Sequence, residues 1–213
     1  MMVSFRTTCF GTLMGSLCVL GVGLESRAGA TVFTDSASFL SVVAPGALFE
    51  NFNGIADGNP GAVTGMNGMF SFSIDTAPFT GGLYVESGLV TTDFDDERIR
   101  ISFSGGNVFA VGANIWATDF FLSTLTAPGR VSISDGQFIE LEFTSSTDYI
   151  GFSSVVPITF MEIEIGDGPG GAAAWATLDN LTVGTLIPEP GTMGLLGLGL
   201  GWLGLRRRAA AKR

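Results

Sequence analysis

The chemistry open to this chain is narrowed first by what it lacks. There is no histidine among its 213 residues, so the side chain most used for proton transfer near neutral pH, and the commonest transition-metal ligand, is absent. Ser-His-Asp, Cys-His and His-zinc arrangements are excluded. Both cysteines, Cys9 and Cys18, fall in an N-terminal apolar run, leaving the rest of the chain without a thiol or a disulfide. Carboxylate pairs of the glycosidase kind are what remains for catalysis. No pair stands out, because almost every Asp and Glu falls on a strand exterior or in a turn, and the expectation is a protein that is not an enzyme.

The densest acidic run is Asp93-Phe94-Asp95-Asp96-Glu97. Its four carboxylates could hold Ca2+; the plainer reading is a solvated loop with Arg98 and Arg100 as partial counterions. Sugar binding would instead need aromatic faces exposed beside polar groups. Beyond phenylalanine the body offers Trp116, Trp175, Tyr84 and Tyr149. Trp175 follows a Gly/Ala-rich stretch and is the expected exposed, ligand-binding residue, whereas Trp116 ends a strand and reads as core. Residues 31–187 carry 18 acids against only Arg98, Arg100 and Arg130. A surface with a balance near −15 repels phosphate backbones, so nucleic acid is excluded as a partner.

The two ends read as addresses. Residues 1–30 have the form of a signal peptide: basic Arg6, an uncharged apolar run over 7–24, and Ala28-Gly29-Ala30 as a small-x-small cleavage site for signal peptidase. The mature chain is expected to begin at Thr31. At the other end, over 186–213, stand Pro188-Glu189-Pro190, an uncharged stretch over 191–205, then Arg206-Arg207-Arg208 and Lys212-Arg213. The apolar part, 193–205, rises only ~20 Å as a helix, short of a ~30 Å hydrocarbon core. The cationic cluster would hold it as a short transmembrane helix with its basic end in the cytoplasm.

That order of features resembles the PEP-CTERM sorting signal. The resemblance implies processing by an exosortase near Pro188-Glu189-Pro190, with Arg206, Arg207 and Arg208 as the retained basic end and only transient residence in the inner membrane. It also implies export to the envelope, surface or extracellular matrix of a Gram-negative bacterium.

Between the ends, from residue 47 on, short apolar or alternating runs are separated by Gly, Asn, Asp, Ser and Pro, the pattern of antiparallel strands. Strands are expected over 48–52, 69–74, 83–86, 98–104, 108–116, 130–134, 138–143, 149–153, 159–165 and 176–183. Asp35 suits the N-cap of a short helix before them. With no βαβ spacing, the expected fold of residues 31–185 is all-β: a two-sheet antiparallel β-sandwich, jelly-roll-like, flanked by the signal helix and the short C-terminal hydrophobic helix. The eighteen phenylalanines read as core and signal.

Four short segments, Phe49-Glu50-Asn51-Phe52, Val111-Gly112-Ala113-Asn114-Ile115, Ile150-Gly151-Phe152 and Leu178-Asp179-Asn180-Leu181-Thr182-Val183-Gly184, resemble jelly-roll domains found before such tails and carbohydrate-binding sandwiches. The resemblance implies adjacent first and last strands joined by a structural Ca2+, with Glu50 and Asp179 as ligands and Asn51 and Asn180 as weaker co-ligands. The functional expectation is a structural or adhesive component of the envelope or exopolysaccharide matrix. The alternatives are a carbohydrate-binding module for exopolysaccharide and, more distantly, a glycoside-active enzyme.

Overall fold

The computed structural model describes residues 29–77, 81–105 and 107–188. The expected signal helix with Ala28, the C-terminal hydrophobic helix, Glu189, Pro190 and Arg206 to Arg208 lie outside the described residues. No helix among the described residues is long and apolar enough to cross a membrane.

Thr31–Phe33 forms β1, and α1 (Ser36–Leu40) follows with Asp35 as its N-cap, the carboxylate accepting from the Ser38 N–H at 2.8 Å. Next come β2 (Leu48–Glu50), β3 (Gly58–Gly61), β4 (Val63–Asn67) and β5 (Phe70–Ala77). The middle of the chain forms β6 (Leu83–Glu86), β7 (Leu89–Thr92), β8 (Arg98–Ser104), β9 (Ala110–Thr118) and β10 (Thr124–Leu125). The remainder forms β11 (Ala127–Ile133), β12 (Phe138–Phe143), β13 (Tyr149–Ser153), β14 (Phe160–Ile165) and β15 (Trp175–Gly184).

These strands make a two-sheet antiparallel β-sandwich. One sheet runs β1-β13-β9-β15-β7-β6-β3, with β10 on β9 and β2 on β15; the other runs β12-β11-β14-β8-β5-β4. After β8 the chain crosses between the sheets at β8–β9, β10–β11, β12–β13, β13–β14 and β14–β15, with local hairpins only at β9–β10 and β11–β12. The period-2 pattern decides which face goes inward. Ile99 and Ile101 on β8, Val131 and Ile133 on β11, and Met161 and Ile163 on β14 meet Val85, Val90, Ile115 and Leu178 of the opposite sheet in one buried core. At ~25 cal/mol per Å² of apolar surface removed from water, this layer is the main source of stability in a body without disulfides.

Alternation sends the polar residues of β8 and β14 to the outer face, where they meet in register. Arg100 pairs across from Glu162, and Arg98 bridges Glu162 and Glu164 at 3.1 Å each. Arg98 and Arg100 thus serve as counterions to β14, not to the acidic run before them, because a neighbouring strand presents its carboxylates at fixed cross-strand distance. Phe160 and Phe138, also on this wet face, lie beneath the guanidinium groups of Arg100 and Arg130 at 4.1 and 4.0 Å.

The other sheet keeps part of its outer face dry. Phe39 of α1 packs on Tyr149 with ring centroids 5.7 Å apart, in a second buried cluster with Val43 and Ala110. Glycine is required beneath it: a Cβ on Gly151 would come within 2.5 Å of the Phe39 ring. The ordered body extends past residue 185, since Val43 bridges Leu186 and the Ile187 N–H donates to the Val42 carbonyl at 2.9 Å.

Candidate functional site

At one end of the larger sheet, the start of β15, the ends of β7 and β9, and β6 enclose a cleft of about 420 Å³. Beneath its floor, of which Thr91 is part, threonine hydroxyls are buried and mutually bonded. Thr118 and Thr177 approach to 2.9 Å, Thr177 donates to Thr91 at 3.2 Å, and Thr91 donates to the Ala176 carbonyl at 3.0 Å. Thr92 also lines the cleft, and its buried hydroxyl has no partner among the described residues.

The walls are aromatic. Trp175, half-buried at the first position of β15, donates its indole N–H to the Asp93 carbonyl at 3.3 Å, which fixes the ring plane. Phe120 meets Trp175 edge-on at 6.0 Å and Phe121 at 5.6 Å. These two phenylalanines are 75% and 83% exposed, an unusual placement for two adjacent large apolar residues. Tyr84 completes the aromatic lining.

The loop between β9 and β10 holds the phenylalanines out by backbone chemistry. The Asp119 carboxylate accepts from the N–H groups of Phe121 at 2.8 Å and Ser123 at 2.9 Å, an Asx turn. Leu122 takes a left-handed φ of 59°, a conformation that costs a non-glycine residue energy and persists because the flanking bonds determine it. Asp93, Asp119 and Glu86 place three carboxylates around the aromatic walls, and Asn59 donates to Asp93 at 3.3 Å. The Glu86 charge and a hydrogen bond to it, followed by burial and the Asp57 charge, push the Tyr84 phenol above its ordinary range. The site therefore combines ring faces for C–H surfaces, hydroxyl and carboxylate acceptors for hydroxyl groups, and a negative field.

The expected Trp175 lines this cleft together with Tyr84, whereas Trp116, read as core, and Tyr149 are buried. Phe120 and Phe121 were not among the expected site residues. Their signal is in the sequence all the same: two phenylalanines straight after Asp119, between a strand and Ser123, leave alternation no way to bury both. The acidic run divides: Asp93 lines the cleft, while Glu97 is buried and accepts from the Gly81 N–H.

The residues implied as calcium ligands sit elsewhere on the larger sheet. As implied, β2 pairs with β15, and Glu50 lies opposite Leu181. Its carboxylate accepts from the Phe52 N–H at 2.8 Å and supports the left-handed turn at Phe52. Asp179 accepts from the Asn180 N–H at 2.6 Å at a bulge, and Asn180 in turn donates to Asn114 at 3.2 Å. Burial raises the Asp179 carboxyl above its ordinary range, the Asn180 bond working against it. No group of three or more acidic residues arranged to hold an ion occurs among the described residues. Glu50 and Asp179 each cap their own backbone turn.

Comparison with known proteins touches the two parts of the chain separately. No curated protein matches the sequence. In overall course the body is similar to a family 29 carbohydrate-binding module, at 13% identity and a TM-score of 0.35, over 74% of this chain and 90% of that one. A family 29 module complexed with cellulohexaose gives 13% identity and a TM-score of 0.34, over 73% and 92% of the two chains. Residues 186–208 match the PEP-CTERM protein-sorting motif. The chain therefore carries a PEP-CTERM sorting motif at its C-terminal end, which marks it as an exported protein that is anchored to, or passes through, the cell envelope.

Proposed function

We propose that the exported body is a non-catalytic glycan-binding module that holds a sugar chain in the Trp175 cleft, and that an exosortase delivers it to the cell surface or the extracellular matrix. The observation that carries this reading is the exposure of Phe120 and Phe121 beside Trp175, above a floor of threonine hydroxyls. Exposed rings of this kind cost solubility unless a ligand covers them. A pyranose offers the matching chemistry: an apolar face of axial C–H groups for the rings, and equatorial hydroxyls for Asp93, Asn59 and the threonines. An adhesive role in a polysaccharide matrix follows from such binding, so the expected structural component and the expected carbohydrate-binding module become one protein.

The test is retardation of the exported chain on polysaccharide affinity gels. The wild type is expected to be delayed on at least one glycan, and Trp175→Ala to migrate freely with its melting transition intact. Equal migration of wild type and variant on every gel counts against the cleft. Reducing sugar released from any glycan that delays the protein would contradict the non-catalytic assignment.

A further inference from the structure

Building on the reading of the cleft as a sugar site, we infer that the site is charge-selective: it takes glycans that are uncharged or bear free amines, and refuses glycans bearing carboxylate, sulfate or phosphate groups. The lining carries the carboxylates of Glu86, Asp93 and Asp119, and no Lys or Arg among its described residues. The three arginines of residues 31–187 all stand on β8 and β11, on the outer face of the opposite sheet. There Arg98 and Arg100 are ion-paired with β14, and Arg130 is stacked on Phe138. Among the described residues no cation is thus left near the cleft to receive an acidic sugar.

The placement of Glu86 agrees: its charge is the first cause of the raised Tyr84 phenol at the wall. A uronate brought beside the exposed Asp93 meets like charge, a repulsion that is felt most at low salt.

The experiment is calorimetric titration of the exported chain at low salt with three β-linked hexamers of matched linkage, built from glucose, glucosamine and glucuronate. The glucose hexamer is expected to bind, and the glucosamine hexamer at least as tightly. The glucuronate hexamer should bind about tenfold more weakly or worse, a gap that narrows as salt shortens the Debye length from about 30 Å to about 10 Å. Asp93→Asn should reduce the preference for glucosamine, whereas Glu140→Gln, on the opposite sheet, should leave the ranking as it was. Glucuronate binding as tightly as glucose, or Glu140→Gln shifting the ranking as far as Asp93→Asn, overturns the inference and leaves the sugar site standing. Binding of none of the three hexamers removes the sugar site and the selectivity with it.

Discussion

Asp119 shows how a single carboxylate can prepare a surface it need not touch a ligand to serve. By accepting from Phe121 and Ser123 it fixes the turn that displays both phenylalanines, so ordering the loop is not left to the moment of binding. Asp119→Ala is therefore expected to weaken glycan affinity about tenfold while moving the melting temperature by only a few degrees, because the loop is exposed and buries little. Titration and thermal unfolding of the same variant check both halves. At this scale the sequence was legible where composition isolated a residue: Trp175 stands after Gly168 to Ala174 in a stretch too small-sided to cover it. Phe120 and Phe121 were passed over because phenylalanine in this chain was read as core, and the left-handed Leu122 and the Asp119 turn show their outward aim. The Glu50 and Asp179 carboxylates were legible as placed near the paired first and last strands, yet their engagement with Phe52 and Asn180 depends on local backbone angles that no spacing rule reports.

The elements were read most closely where alternation was unbroken. Strands β6, β8, β12 and β13 run as their patterns predict, and the Asp35 cap starts α1. Five strands went unread, for two physical reasons. Strand β3, Gly58–Gly61, consists of turn-forming residues with Pro60 on a sheet edge, where the missing N–H costs nothing. Strand β7 follows β6 through Ser87 and Gly88, whose φ values of 51° and 82° make a tight hairpin between strands of four residues each; β1, β4 and β10 are likewise short and depend on their partners. The α1 cap over β13 supplies the test at this scale. Gly151→Ala places a methyl group against the Phe39 ring in a closed cluster, and such overpacking is expected to cost about 1–3 kcal/mol. Thermal unfolding measures it; an unchanged midpoint would mean that α1 is not held as tightly as its packing implies.

Across the whole molecule, the two sheets divide the labour. The smaller sheet carries all three arginines on its outer face, and the larger sheet leaves its aromatic end acidic and open. The last contacts of the sandwich, Leu186 and Ile187 to Val43 and Val42, fall at the first two residues of the sorting motif at 186–208, so processing at Pro188-Glu189-Pro190 would leave the sandwich whole. Replacing these three residues with alanine is expected to hold the unprocessed chain in the inner membrane, as fractionation and immunoblotting would report; unchanged release would contradict exosortase sorting. The sandwich itself was legible because patterning sets fold class, while the cleft was only half legible because it is assembled from strand ends far apart in sequence. The most direct test of the central claim is calorimetric titration of wild type and Trp175→Ala with whichever glycan delays the protein on a gel. The account predicts saturable binding at one site per chain for the wild type, and at least about a tenfold loss of affinity, worth ~1.4 kcal/mol, in a variant that still melts cooperatively. Equal affinity in the two proteins would contradict it and place the sugar elsewhere on the sandwich.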